Sequence, residues 1–169
     1  MLDACAAPGG KSLAILQLFN PEKLISTDIH EHKIKLLNEL KSKYGYSNFE
    51  VKLNDATQIE NLDTMFDKIL LDMPCSGLGV LRKKPEKIYE LTANDIKNLK
   101  KLQKKIFESA YKCLKSDGEM LYSTCTFSKN ENTNNIQYFL EKYEDLEILE
   151  VEIPKNIKTM RDEFGGVYI

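Results

Sequence analysis

The chain has 169 residues, 42% of them apolar, with 24 lysines and arginines against 26 acids and a formal net charge of −2. That length and apolar fraction suit one α/β-sized domain, and the charge balance argues against a protein that grips nucleic acid with its whole surface, so any RNA contact has to come from local patches. No run approaches membrane-spanning length, no signal peptide precedes the first motif, and Cys5, Cys75, Cys113 and Cys125 form no C-x-x-C pair, which points away from a metal site or disulfide framework and toward a reducing cytoplasm.

The elements alternate along the chain. Strand-like "MLDAC" opens at residue 1 and runs into "DACAAPGGKS", a glycine loop from Asp3 to Ser12. A helix is predicted over Ser12–Phe19, then a short apolar strand over Lys23–Asp28. The next helix carries Ile34, Leu37 and Leu40 at helical spacing and stops at Gly45. "FEVKLND" (Phe49–Asp55) alternates with period two, and "FDKILLD" (Phe66–Asp72) reads as a buried strand. Thr92 with Asp95 resembles a capping box and starts a long helix, with Ile96, Leu99, Leu102, Ile106 and Ala110 on one face and a stop near Gly118. "EMLYSTC" (Glu119–Cys125) is the next strand. Ser128 with Glu131 resembles a second capping box, leading a helix through Ile136, Phe139 and Leu140, and "LEILEV" (Leu146–Val151) is a further strand. Strands alternating with helices predict a doubly wound α/β fold, a mainly parallel sheet with helices on both faces. Ligands of such folds sit at the carboxyl ends of the strands.

The candidate functional residues lie there. The loop ends in Gly-Lys-Ser, as a phosphate-binding P-loop does. The Gly expected five positions before Gly10 is Cys5, however, and Pro8 lacks an N–H. Gly9 and Gly10 still allow close approach of a ligand to backbone at a helix N-terminus. Asp28, eighteen residues after Gly10 at the end of the second strand, suits both hydroxyls of a ribose. Without the G-x-G-x-x-G fingerprint, the pair fits an adenosine cofactor lacking a pyrophosphate. Asp55, after the third strand, suits an adenine amino group, and a capping or turn aspartate fits it equally. "LLDMPCSGLG" places Asp72 and Cys75 after the fourth strand, and "YSTCT" places Cys125 after the fifth. Cys75 taken alone is as readily a small buried residue. Two cysteines ending adjacent strands could face one pocket, and the fold alone does not choose a nucleophile between them. Cys113 falls in a helical stripe and reads as structural.

"DACAAPGGKS", "DMPCSGLG" followed by "RKKPE", and "YSTCTFSKNEN" resemble, in order and spacing, the signature segments of the RNA (cytosine-5) methyltransferases, in particular the bacterial Sun-type (Fmu) enzymes that methylate 16S rRNA. The resemblance runs from Asp3 to about Leu140. It implies a Rossmann-like fold that binds S-adenosylmethionine, with cofactor contacts from Cys5, Ala6, Ala7, Pro8, Gly9, Gly10, Lys11, Asp28, Asp55 and Asp72. It implies a nucleophile at Cys125 and a helper for product release at Cys75. Asp72 would hydrogen-bond the N3/N4 edge of the base, with electrostatic help from Lys11. The partner implied is RNA, ribosomal RNA first and tRNA second, and a monomer is expected. Basic segments Leu81–Lys87 and Lys97–Lys105 are candidate phosphate contacts. A core that begins at residue 2 suggests that residues 1–169 are the catalytic domain of something longer, lacking the family's N-terminal RNA-binding region and C-terminal hairpin. Two other classes compete. "GGKS" and "KILLD" mimic the two halves of a P-loop NTPase, and a non-catalytic RNA-binding or assembly module could keep the fold without needing either cysteine.

Overall fold

Five strands hydrogen-bond in the order β3-β2-β1-β4-β5, every neighbouring pair parallel. In this computed structural model, residues 1–83, 85, 89 and 91–168 are described. The strands are β1 (Leu2–Asp3), β2 (Leu24–Asp28), β3 (Phe49–Leu53), β4 (Phe66–Asp72) and β5 (Leu114–Ser123), and the helices α1 (Gly10–Phe19), α2 (Glu31–Tyr44), α3 (Ala93–Lys112) and α4 (Thr133–Lys142). A hairpin of β6 (Met160–Arg161) and β7 (Val167–Tyr168) is antiparallel. Parallel neighbours require crossovers, and α1 and α2 supply them between β1, β2 and β3. The chain winds outward from β1 through β2 to β3, then returns to the other side of β1 as β4. The order therefore reverses between β1 and β4, which makes their carboxyl ends the switch point where ligands of open α/β sheets bind. Among the described residues no helix is long and apolar enough to cross a membrane.

The chain divides into two compact units, Met1–Pro74 with Leu102–Ser123, and Cys75–Lys101 with Thr124–Ile169. The first holds the whole five-stranded sheet. Its core gathers Ile15 and Leu16 of α1, Leu24 of β2, Phe49 of β3 and Leu70 of β4. β4 matches its predicted bounds, with Phe66 and the apolar run Ile69–Leu71 buried and Asp67 and Lys68 exposed. α2 ends at Gly45, whose φ of +68° closes the helix with an N–H donated to the Lys41 carbonyl. The second unit buries Phe139 with a group of polar side chains, Ser76, Thr126, Glu131, Thr133 and Asn135.

Four expectations need correction. α1 begins at Gly10, two residues early, because Gly9 at φ +104° serves as its N-cap and leaves Gly10 free to take helical geometry. α3 ends at Lys112, not near Gly118. Gly118 instead lies in a bulge, where one β4 residue, Asp67, faces the four β5 residues 115–118 between the pairs Phe66–Leu114 and Lys68–Glu119. A Cβ on Gly118 would come 2.7 Å from the Leu114 side chain and 3.0 Å from the Asp67 carbonyl. Leu146–Val151 is not a strand. It joins no strand ladder among the described residues, and Ile148, Leu149 and Val151 are exposed. The capping box at Ser128 is also absent, since the Glu131 side chain turns inward to Ser76. The one at Thr92 is present, with Thr92 N–H and hydroxyl donating to Asp95 and Asp95 N–H donating back at 3.2 Å.

Candidate functional site

In the first unit, β1 leaves the sheet after Asp3 and the glycine loop begins. Ala4 N–H still donates to the Leu70 carbonyl, and Ala6 N–H to that of Thr27, so the loop stays fastened to β4 and β2 on either side. Cys5 lies within it, its thiol pushed up to about 12 by burial and then by the acids Asp3, Asp28 and Asp72. A thiol held protonated in this way is no nucleophile. Ala7–Pro8 is a cis peptide. A Cβ on Gly9 would come 2.9 Å from Leu37 and 3.2 Å from Leu40 of α2, at a φ that L side chains rarely adopt. Only glycine fits there, and the turn delivers the first N–H groups of α1 to the switch point.

Lys11, one residue into α1, reaches across to Asp72 at the end of β4. Their ion pair is 2.6 Å, and Ser123 at the end of β5 donates its hydroxyl to the other Asp72 oxygen at 3.1 Å. Two strand ends and the first turn of α1 thus converge on one carboxylate. Asp28 closes β2, nearly buried, accepting from His30 N–H at 3.1 Å and from Lys33 at 3.5 Å. Asp55 follows β3 and caps the turn at residues 56–62, accepting from both the N–H and hydroxyl of Thr57 at 2.8 Å. No bond joins it to the other candidates among the described residues.

Beneath the loop lies a group the sequence did not single out. Asp3 is wholly buried, accepts from Ser12 Oγ at 2.7 Å, and Ser12 in turn accepts from Ser26. Oδ1 of Asp3 has no partner among the described residues. Burial, partly offset by the Ser12 hydrogen bond, pushes Asp3 up to about 6. Between its ordinary value of 3.8 and about 6, the folded state keeps a proton that the unfolded chain has lost, so stability falls as pH rises through that window and levels off above it. Asn cannot titrate. The unfolding free energy of Asp3→Asn relative to wild type, measured by urea denaturation, should therefore rise by up to about 3 kcal/mol from about pH 4 to about pH 7. A gap independent of pH would refute this assignment.

In the second unit the two remaining cysteines meet. Cys75 Sγ lies 3.0 Å from Cys125 Sγ and accepts the Cys125 N–H at 3.2 Å. Burial first, then the hydrogen bond with Cys125, holds the Cys75 thiol well above the usual range. Cys125 is exposed and Cys75 half-buried. Gly79 N–H donates to the Cys125 carbonyl at 3.0 Å, and a Cβ on Gly79 would come 2.8 Å from that oxygen. The two loops that carry the cysteines therefore dock backbone to backbone, and that contact brings the sulfurs together. Also unread in the sequence is Glu131, which is fully buried and binds both the N–H and the hydroxyl of Ser76. Of the basic segment Leu81–Lys87, residues 84, 86 and 87 lie outside the described residues. In Lys97–Lys105 the side chains of Lys97, Lys101 and Lys105 are exposed.

A family model described as 16S rRNA methyltransferase RsmB/F matches residues 1–165. Probable ribosomal RNA small subunit methyltransferase B of Bacillus subtilis (strain 168) is 37% identical over 164 residues, 94% of this chain and 37% of that protein. The crystal structure of PH0851 superposes with a TM-score of 0.84 at 30% identity, covering 95% of this chain and 38% of that one. NSun6 from Pyrococcus horikoshii with SFG gives 0.76 at 34% identity, covering 83% and 36%. The chain spans a little over a third of each of these proteins.

Proposed function

The chain belongs to the 16S rRNA methyltransferase RsmB/F family, and from that premise we propose that it carries the catalytic machinery of an S-adenosylmethionine-dependent enzyme methylating carbon 5 of cytosine in RNA, small-subunit ribosomal RNA foremost. The observation that carries the carbon-5 reading is the thiol pair, 3.0 Å apart with the exposed member at Cys125. Carbon 5 of cytosine is a weak nucleophile, and covalent addition of a thiolate to carbon 6 makes it enamine-like. Nucleotide phosphoryl chemistry has no use for such a pair, and the family match removes the NTPase alternative.

The first unit supplies the cofactor residues. The carboxylate of Asp28 takes the ribose hydroxyls, Asp55 the adenine edge, and the backbone from Cys5 to Lys11, through Ala6, Ala7, Pro8, Gly9 and Gly10, packs against the ligand. Bound S-adenosylmethionine supplies an electrophilic methyl group on a sulfonium. A solved relative holds SFG, an analogue of that cofactor. Asp72, fixed by Lys11 and Ser123, is the group we assign to the N3/N4 edge of the base.

Cys125 attacks carbon 6, and the electron pair moves to carbon 5, which takes the methyl group. A base then removes the carbon-5 proton, the 5,6 double bond re-forms, and the carbon–sulfur bond breaks with its electrons on Cys125. Cys75, whose thiol burial pushes well above its ordinary range, lies 3.0 Å from that departing sulfur and can donate its S–H to stabilise it as a leaving group. The geometry thus gives Cys75 a reason to assist release without being the attacker.

Nucleoside mass spectrometry of small-subunit rRNA incubated with the protein and S-adenosylmethionine tests the reading. 5-Methylcytidine is the expected product, and methylation at N4 or on ribose would overturn it. The base has to leave any stack at a cost of a few kcal/mol. We therefore expect the 169-residue chain alone to turn over slowly compared with a protein of its relatives' length. Cofactor binding is separable. Asp28→Ala should weaken S-adenosylmethionine by roughly 1–3 kcal/mol in calorimetry, the usual effect of losing charged hydrogen bonds, and an unchanged affinity would remove Asp28 from the site.

A further inference from the structure

The residue after each of the paired cysteines belongs to one buried hydrogen-bond chain, and the chain ends on a carboxylate. Ser76 follows Cys75 and Thr126 follows Cys125. Ser128 N–H donates to Thr126 Oγ1 at 3.2 Å, and the hydroxyls of Ser76 and Thr126 lie 2.9 Å apart. Ser76 Oγ lies 2.5 Å from Glu131 Oε1, and Ser76 N–H donates to Glu131 Oε2 at 2.9 Å. A carboxylate cannot donate when ionised, so the proton order is fixed from that end. The Ser76 hydroxyl donates to Glu131, Thr126 donates to Ser76, and Ser128 N–H donates to Thr126. Every member is satisfied, and Ser76, Thr126 and Glu131 are at most 6% exposed.

A buried carboxylate is costly unless its oxygens are filled by short, charge-assisted bonds, and each Glu131 oxygen accepts one from Ser76. The same carboxylate therefore fixes the backbone directly after Cys75 and, through one hydroxyl, the backbone directly after Cys125. Fixing those two points sets the distance between the sulfurs. We propose that Glu131 is a positioning residue whose buried carboxylate, acting through Ser76 and Thr126, holds Cys75 and Cys125 in contact. The inference rests on the reading that these thiols perform the chemistry, and it adds a residue that touches neither thiol.

In Glu131→Gln the amide would offer one acceptor oxygen where the native carboxylate offers two, and its NH2 group would face a donor. Facing the Ser76 N–H, that NH2 loses the bond; facing the Ser76 hydroxyl, it reverses the bond and with it the donor order through Thr126, in either case with almost no change in volume. The test is the rate at which diamide, an azo oxidant that takes up the two thiol hydrogens, joins Cys75 to Cys125, followed by peptide mapping. This readout needs neither cofactor nor RNA. Small displacements of reacting groups carry large rate penalties, so Glu131→Gln should slow the reaction by about tenfold or more, with a matching fall in kcat and an unchanged KM for S-adenosylmethionine. A folded Glu131→Gln that oxidises and turns over at wild-type rates overturns the proposal. If that variant fails to fold, Thr126→Val and Thr126→Ser decide. Slow oxidation in the first, restored in the second, supports the chain of bonds, and a wild-type rate in Thr126→Val overturns it. If oxidation slows as expected while wild type yields no 5-methylcytidine, the positioning stands and the functional reading falls.

Discussion

Cys125→Ala should lose methyl transfer by roughly 10⁴-fold or more, the scale seen when a covalent nucleophile is removed, and should form no protein–RNA adduct. Cys75→Ala should behave differently. Its attacking thiol remains, so addition to carbon 6 and methyl transfer proceed. What it loses is the thiol whose sulfur lies 3.0 Å from the departing one. Elimination slows, and the covalent complex should accumulate and survive a denaturing gel. The double variant should show no complex. The asymmetry follows from burial as much as from family resemblance. The exposed Cys125 is the sulfur a base can reach, whereas burial keeps Cys75 protonated. An adduct trapped by Cys125→Ala and absent in Cys75→Ala would reverse the roles. No adduct in either would leave covalent catalysis by this pair unsupported.

What is legible in the sequence is what depends on neighbours along the chain. The apolar run Phe66–Asp72 and the Thr92–Asp95 box are local, and both appear with the predicted residues. The order of strands and helices follows from alternation, and with it the placing of Lys11, Asp28, Asp72, Cys75 and Cys125 at or just after strand ends or in the loop. Apart from the start of α1, which the neighbouring N-cap Gly9 sets, the failures are long-range. Ser128 and Glu131 have capping-box spacing, but the Glu131 side chain finds Ser76, 55 residues earlier, and the Ser128 N–H donates to Thr126 Oγ1 instead. Leu146–Val151 is rich in strand-favouring apolar residues, yet composition only permits pairing, and the segment joins no ladder among the described residues. Gly118 reads as a helix stop because glycine is a common one, whereas its actual constraint is the Leu114 side chain and the Asp67 carbonyl inside a bulge. Asp3 sits in the most recognisable motif of the chain, but its unpartnered oxygen and raised titration come from total burial, which spacing does not report.

The Lys11–Asp72 pair should matter far more to turnover than to folding. Its side chains are 53% and 32% exposed, and ion pairs of that exposure contribute about 0–1 kcal/mol to stability. Asp72→Asn keeps the shape and the Ser123 hydrogen bond while removing the charge. Its melting temperature should therefore stay close to wild type. At the reacting base the same change removes a fixed, preoriented charge, and losing one such group typically costs about 10²–10³ in kcat. Lys11→Met leaves the Asp72 carboxylate in place but frees it to turn toward water, so a loss of similar kind and smaller size is expected. The two residues act as one device, since the lysine works by holding the carboxylate. Their effects should then be non-additive, with Lys11→Met costing little once Asp72→Asn is present. Additive losses in the double variant would show that Lys11 acts independently of Asp72, and a wild-type kcat in Asp72→Asn would remove the base-recognition role assigned to it.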